Sequence, residues 1–227
     1  MRKFLIAVAM LLCSCAVPPK PPPPAVPAGP PVEPTGPFQV YEVTSSSIEI
    51  HVFRDGPMAQ LGHDHVITSD AMTGTIRLRE PRSDSRITLE LPLASLVVDD
   101  PAARAAAGPG FAKEVPQADR EATLRNLLGA AVLDAARQPV LRLAVESLEG
   151  ESPDYQARMR VGLRGEERVI AIPLSVQVDG DVLSVHAGFK LHHADLGLTP
   201  FSVALGALRV RDDFDVDCSL QARRRPD

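Results

Sequence analysis

The chain has no tryptophan and only 4% aromatic residues, so an apolar interior built from it must be chiefly aliphatic. Cysteine is almost as scarce. Of the three cysteines, Cys13 and Cys15 stand near the start, which leaves Cys218 alone and excludes an internal disulfide from the part that folds. Positive charge is not in excess: 24 Lys and Arg face 29 Asp and Glu, a net charge of -5, where a nucleic-acid binder shows a basic patch or stripe. The hydrolase nucleophile elbow, the glycine-rich phosphate loop and paired cysteines are all missing. The apolar run at residues 4–12 falls well short of the roughly 20 residues that cross a bilayer.

That run has a different meaning. Arg2 and Lys3 precede it, and Leu12-Cys13-Ser14-Cys15 closes it with a small residue just before a cysteine, the pattern of an export signal cut ahead of a lipid-bearing residue. Residues 1–14 are therefore expected to be a lipoprotein signal and Cys15 the site of lipidation; cleavage without lipid is the alternative. One acyl chain gives marginal binding at about 0.8 kcal/mol per buried methylene, and several chains give stable residence on a membrane. The next segment, up to residue 37, carries half of the chain's 22 prolines. It reads as an extended spacer that reaches up to about 60 Å at roughly 3.1 Å per residue. Residues 38–222 then form a single domain and residues 223–227 a basic tail.

Beyond residue 38 the dominant period is two, the mark of half-buried strands. Ile48, Ile50 and Val52 alternate with polar residues, as do Ile87, Leu89 and Leu91. Leu141, Leu143 and Val145 repeat the pattern, followed by Tyr155, Ala157, Met159 and Val161. Later runs carry Ile170, Ile172, Leu174 and Val176, then Leu183, Val185, Ala187, Phe189 and Leu191, then Leu208, Val210, Phe214, Val216 and Leu220. Asp179-Gly180 suits a tight hairpin with two residues at positive φ, and Arg164-Gly165-Glu166 and residues 149–153 mark further reversals.

Helix signals occur only between residues 100 and 137. Asp100 can cap a helix that starts at Pro101 and stops at Gly108. A second helix is expected over residues 118–128, resuming through Val132, Leu133 and Ala136 until Pro139 forbids continuation. Hairpin-linked strands with one helical excursion predict an all-β fold: an antiparallel barrel of about eight strands, whose closure removes exposed edges. A two-layer sandwich is the structural alternative.

Three segments carry a family resemblance: Tyr41-Glu42-Val43 followed by Ser47-Ile48-Glu49-Ile50, residues 132–139 leading from helix into strand, and the corner at residues 189–197. Across residues 38–220 the chain resembles the YceI-like family of exported polyisoprenoid-binding proteins. The resemblance implies an extended, lipocalin-like barrel that holds a long-chain isoprenoid or similar lipid, without cofactor and without chemistry. At the corner the chain has His193 where that family often has arginine and Leu196 where it often has an aromatic, so a head-group contact is not inherited.

With that implication, the inward positions of the strands become the expected ligand lining: Ile48, Ile50 and Val52; Leu89 and Leu91; Leu143; Met159 and Val161; Ile172 and Leu174; Val185, Phe189 and Leu191; Val210 and Phe214. His193 and Asp195, at the end of one apolar strip, become the polar mouth. The same alternation is equally what a barrel filled by its own side chains requires, so a structural envelope protein with a filled core is one alternative. A metal-binding protein or metal-dependent enzyme is another: in an extended Leu61-Gly62-His63-Asp64-His65, His63 and His65 share a side and could join a third ligand such as His193, His192 or Asp195. His192 and His193 face opposite sides on a strand. Asp212, Asp213, Asp215 and Asp217 lack the glycine and closing glutamate of a calcium loop and read as an exposed face. Cys218 reads as a small core residue. The expected location is a bacterial cell envelope on the periplasmic side, with Ala16 after Cys15 favouring the outer membrane by resemblance to enterobacterial sorting; the expected partners are a hydrophobic small molecule and the membrane, not nucleic acid.

Overall fold

Eight strands, hydrogen-bonded in antiparallel order, close on themselves. The computed structural model describes residues 37–226; the expected signal, lipidation at Cys15 and most of the proline-rich spacer lie outside the described residues. In chain order the strands are β1 (Gln39–Asp55), β2 (His65–Ser69), β3 (Thr73–Leu78), β4 (Arg86–Pro92), β5 (Val97–Val98), β6 (Val140–Glu151), β7 (Asp154–Leu163), β8 (Glu166–Asp179), β9 (Val182–His192), β10 (Ser202–Val203) and β11 (Leu208–Arg224), with helices α1 (Pro101–Ala106) and α2 (Gln117–Leu128) between β5 and β6. The barrel runs β1-β3-β4-β6-β7-β8-β9-β11 and back to β1. This is the all-β barrel that the period-two runs predict, and the sandwich alternative falls because β1 and β11 pair from Tyr41↔Arg224 to Asp55↔Arg209.

β1 changes partner along its length. Its first residues pair with β3, Gln39↔Leu78 to Glu42↔Thr75, and its second half pairs with β2, Ile48↔Ser69 to Val52↔His65. β2 in turn pairs with the short β5. The barrel wall therefore splits at one end, and the helical excursion follows from that flap.

Alternation fills the interior as expected. On β7, Tyr155, Ala157, Met159 and Val161 are buried, and on β9 Leu183, Val185, Ala187 and Leu191 are. They pack with Tyr41, Ile76, Leu91 and Leu148 into one continuous apolar core. Outward positions of β9 and β11 carry the acidic run: Lys190 forms cross-strand ion pairs with both Asp213 and Asp215, the His192 ring meets the Asp212 carboxylate, and His186 faces Asp217. Cys218 packs against the core, and burial pushes its thiol up to about 11, so it stays protonated.

Three local expectations need correction. The tight turn with two successive positive φ values is Arg164-Gly165, at +56° and +78°, whereas β8 and β9 are joined by Gly180-Asp181 with only Gly180 positive, at +58°. The helix does not resume after Leu128: Gly129 leaves it in extended conformation, and Leu133 and Asp134 donate back to Leu127 O and Gly129 O in a compact turn. The basic tail is not free, since β11 runs on through Arg224, Arg223 pairs with Glu42, and Arg225 N donates to Val40 O. α1 forms as expected, with the Asp100 carboxylate accepting from Ala102 N and Ala103 N and satisfying donors that a helix start leaves open.

Leu183 is fully enclosed. Leu183→Ala is expected to cost about 2–5 kcal/mol through lost burial and a residual cavity, read as a lower denaturant midpoint with an unchanged slope.

Candidate functional site

The split in the wall leaves a pocket of about 220 Å³ at the end of the barrel where β1 and β9 finish and β11 begins. Its apolar walls are Val52, Ile67, Val132, Leu208 and Val210, with Phe201 and Val203 at the outer edge. Thr123, Asn126 and Leu127 of α2 close one side. Three imidazoles line it, those of His63, His65 and His193, together with the guanidinium groups of Arg54 and Arg209 and the side chains of Thr123, Asn126 and Thr199. A mostly apolar concavity with a few fixed polar groups is the usual form of a small-molecule site.

Register explains how the imidazoles converge. His65 stands opposite Val52 in the β1–β2 ladder and so shares the inner face, and His63 lines the same pocket two residues earlier. The two rings lie 6.3 Å apart. His193 follows the inward strip of β9 and sets its ring edge-on to Phe214 at 5.1 Å, while His192 turns outward to Asp212. The His193 Nδ1–H donates to Asp212 O at 2.6 Å. Because a carbonyl only accepts, Nε2 is the nitrogen left for the pocket.

His65 is held more firmly. Its Nδ1 lies 2.6 Å from Asp99 Oδ2, and Asp99, only 1% exposed, also accepts from Val66 N and, at 2.5 Å, from Arg104 Nη1. The Arg104 guanidinium is buried as well and donates to Asp64 O, Phe111 O and Lys113 O, each at 2.7 Å. Burial alone would raise the Asp99 carboxyl; hydrogen bonds from His65, Val66 N and Arg104 outweigh it and hold the group below its ordinary 3.8. The carboxylate is thus charged, Nδ1 of His65 carries the proton, and Nε2 is offered to the pocket. His63 differs: burial, with Lys113 and His65 adding to it, keeps its imidazole below the usual 6.5.

No family model and no curated relative matches this sequence. Solved structures do. BcnA of Burkholderia cenocepacia superposes with a TM-score of 0.54 at 9% identity, over 78% of this chain and 95% of that one. A polyisoprenoid binding domain from Saccharophagus degradans, implicated in plant cell wall breakdown, gives 0.55 at 14% identity, over 82% and 98%. The fold is the YceI-like, lipocalin-like barrel.

Within this YceI-like barrel the expected lining residues separate into groups. Val52 and Val210 border the pocket. Ile48, Leu89, Leu91, Met159, Val161, Ile172, Leu174, Val185, Leu191 and Phe214 are buried in the packed core, and Ile50, Leu143 and Phe189 are half-buried against it. Of the expected lining, only Val52 and Val210 belong to the pocket at the mouth. Of the two polar-mouth residues, His193 lines the pocket, whereas Asp195 is exposed and turns back to accept from His192 N at 2.8 Å, capping the turn. His63, His65 and His193 share the pocket, yet among the described residues no group of three or more His, Cys, Asp or Glu is placed to hold a metal ion.

Sequence reasoning missed Asp99, Arg104, Arg54 and the loop at residues 199–208. The one available signal was Asp99-Asp100 ahead of Pro101, where the cap uses a single carboxylate and leaves the other for a different task.

Asp99→Asn strands the buried Arg104 guanidinium and is expected to cost about 3–5 kcal/mol in urea unfolding, as breaking a buried pair does. For His63 the folded state favours the neutral ring, so protonation opposes folding. Stability is expected to be full above pH 6.5 and to decline as pH falls from there toward the lowered folded value. His63→Gln should remove that share of the acid slope.

Proposed function

We propose that this protein is a YceI-like binding protein that takes the apolar chain of an isoprenoid or comparable long-chain amphiphile into the mouth of its barrel, with the polar end of the ligand at His63, His65 and His193. The observation that carries this reading is a largely apolar pocket at one end of a closed barrel, lined by two imidazoles, His65 and His193, that hydrogen bonds hold in place. The likeness to a domain named for polyisoprenoid binding supports it. The scarcity of aromatic residues favours a flexible chain over a stacked ring, because aliphatic walls give contact area without ring faces to pair.

The pocket sets the manner of binding. At about 220 Å³ it is smaller than the roughly 300–1,000 Å³ of a site that encloses a drug-sized molecule. It admits the end of a chain, and deeper entry requires core side chains such as Ile50, opposite the pocket residue Ile67 in the β1–β2 ladder, to change rotamer. Each methylene that leaves water contributes about 0.8 kcal/mol, so a few carbons in the mouth give weak capture and a longer insertion gives retention. The role is binding without covalent chemistry. In this reading Cys15 carries the lipid anchor, the proline-rich segment spaces the barrel from a periplasmic membrane face, and the protein transports, stores or sequesters its ligand.

The test is uptake of farnesol by the purified chain, with mass spectrometry of an organic extract for what it already carries. Val52→Trp with Val210→Trp fills the mouth and is expected to weaken farnesol uptake at least tenfold while the melting temperature is kept. A wild-type protein that carries no lipid and takes up none would leave the filled-core envelope protein instead.

A further inference from the structure

Two loops frame the outer edge of the pocket. Residues 56–62 (Gly-Pro-Met-Ala-Gln-Leu-Gly) follow β1, and residues 196–208, which include the two-residue β10, lead into the first residue of β11. They are joined to each other: Met58 N donates to Ala207 O at 2.8 Å. Gly56 is at φ +97°, where a Cβ would lie 2.6 Å from Ala207 O, so only glycine allows the two to meet so closely. Phe201 and Val203 line the pocket and are also exposed on its outside.

The chemistry of this rim is unlike the rest of the surface. In a chain with 23% charged residues neither loop holds one, and residues 196–208 are the longest uncharged run among the described residues. Among the described residues nine large apolar side chains are exposed; five of them, Met58, Leu61, Phe201, Val203 and Leu205, belong to these two loops, so they form a patch instead of the single exposed residues normal for a surface. Leu205 is the extreme case, fully exposed on a left-handed backbone at φ +54°. A leucine there gains nothing from folding and adopts a conformation that asparagine or glycine tolerates better.

We infer that the mouth rim is a membrane-docking surface that seats on the hydrocarbon boundary of a lipid bilayer. Uncharged loops avoid the cost of carrying charge into hydrocarbon, and exposed leucine, methionine and phenylalanine bury their area among acyl chains. Because Phe201 and Val203 belong both to the rim and to the pocket wall, docking joins the apolar pocket to the bilayer interior, and a lipid passes between them without crossing water. This inference rests on the proposed binding of a long-chain amphiphile. It commits to a bilayer over a second copy of the chain because the exposed apolar residues are continuous with the apolar pocket walls through Phe201 and Val203, which belong to both, so that what covers the patch also meets the opening.

The test places an environment-sensitive fluorophore on Leu205→Cys, in a full-length chain carrying Cys13→Ser and Cys15→Ser, so that no acyl anchor contributes. Cys218 stays unlabelled because its buried thiol is protonated. With phosphatidylcholine vesicles the label is expected to move into an apolar environment, equally at low and high salt since no charge drives it. The same label on Val178→Cys, at the opposite end of the barrel, should not respond. Adding Leu61→Asp should weaken the response at least tenfold while farnesol uptake from vesicle-free solution is unchanged. A label that stays in water while farnesol is taken up overturns the docking surface and leaves the binding reading standing. If farnesol is refused as well, both fail. A response that needs no vesicles and grows with protein concentration assigns the rim to a second copy and also overturns it.

Discussion

The pairing of β1 with β11 is the constraint on which the rest of the molecule depends. It joins the first and last strands along nearly their whole length, turning a meander with two open edges into a closed wall and giving the alternating side chains an inside. Closure also decides where the space lies. β1 is longer than any one neighbour on its other side, so it is shared between β3 and then β2. From that change onward β1 is paired with the β2 flap, and the pocket forms at the far end of this stretch, at Val52 and His65.

The polar groups follow the same economy. A buried carboxylate and guanidinium are costly to take out of water unless every hydrogen-bonding position is met. Asp99 and Arg104 meet that condition: the carboxylate serves His65, Val66 N and Arg104, and the guanidinium is shared among three carbonyls. One network therefore does two things. It pins α1 and the segment after it to the flap formed by β2 and β5, and it fixes the tautomer of an imidazole that faces the pocket. The structural and functional demands on Asp99 coincide because the flap that needs anchoring is also the wall of the mouth.

The interior and the rim differ for a related reason. Deep in the barrel, strands from all sides supply inward residues that pack into one continuous buried cluster. At the mouth the strands end, turns and a helix take over, and no regular register brings side chains together. Space remains where periodicity stops, and apolar loops frame it.

How much of this was legible in the chain depends on range. Period-two runs such as Leu183, Val185, Ala187 and Phe189 fixed the strands, and Asp100 before Pro101 fixed the helix start, because strand faces and caps are decided by residues a few positions apart. The shared side of His63 and His65 was readable from their spacing alone. Other features were not. Short β2, β3 and β5 carry too few alternations to stand out, and Arg164-Gly165 took the doubly left-handed turn that Asp179-Gly180 equally suits. Alternation assigns each residue to a face of its own strand and says nothing about how far away the opposite face is, so the separation of Val52 and Val210, at the pocket, from Ile172 and Leu174, in the core, needed the closed barrel. So did the meeting of His65 with Asp99, which are 34 residues apart: their hydrogen bond depends on how two strands align, and that alignment is set by the packing of the whole wall.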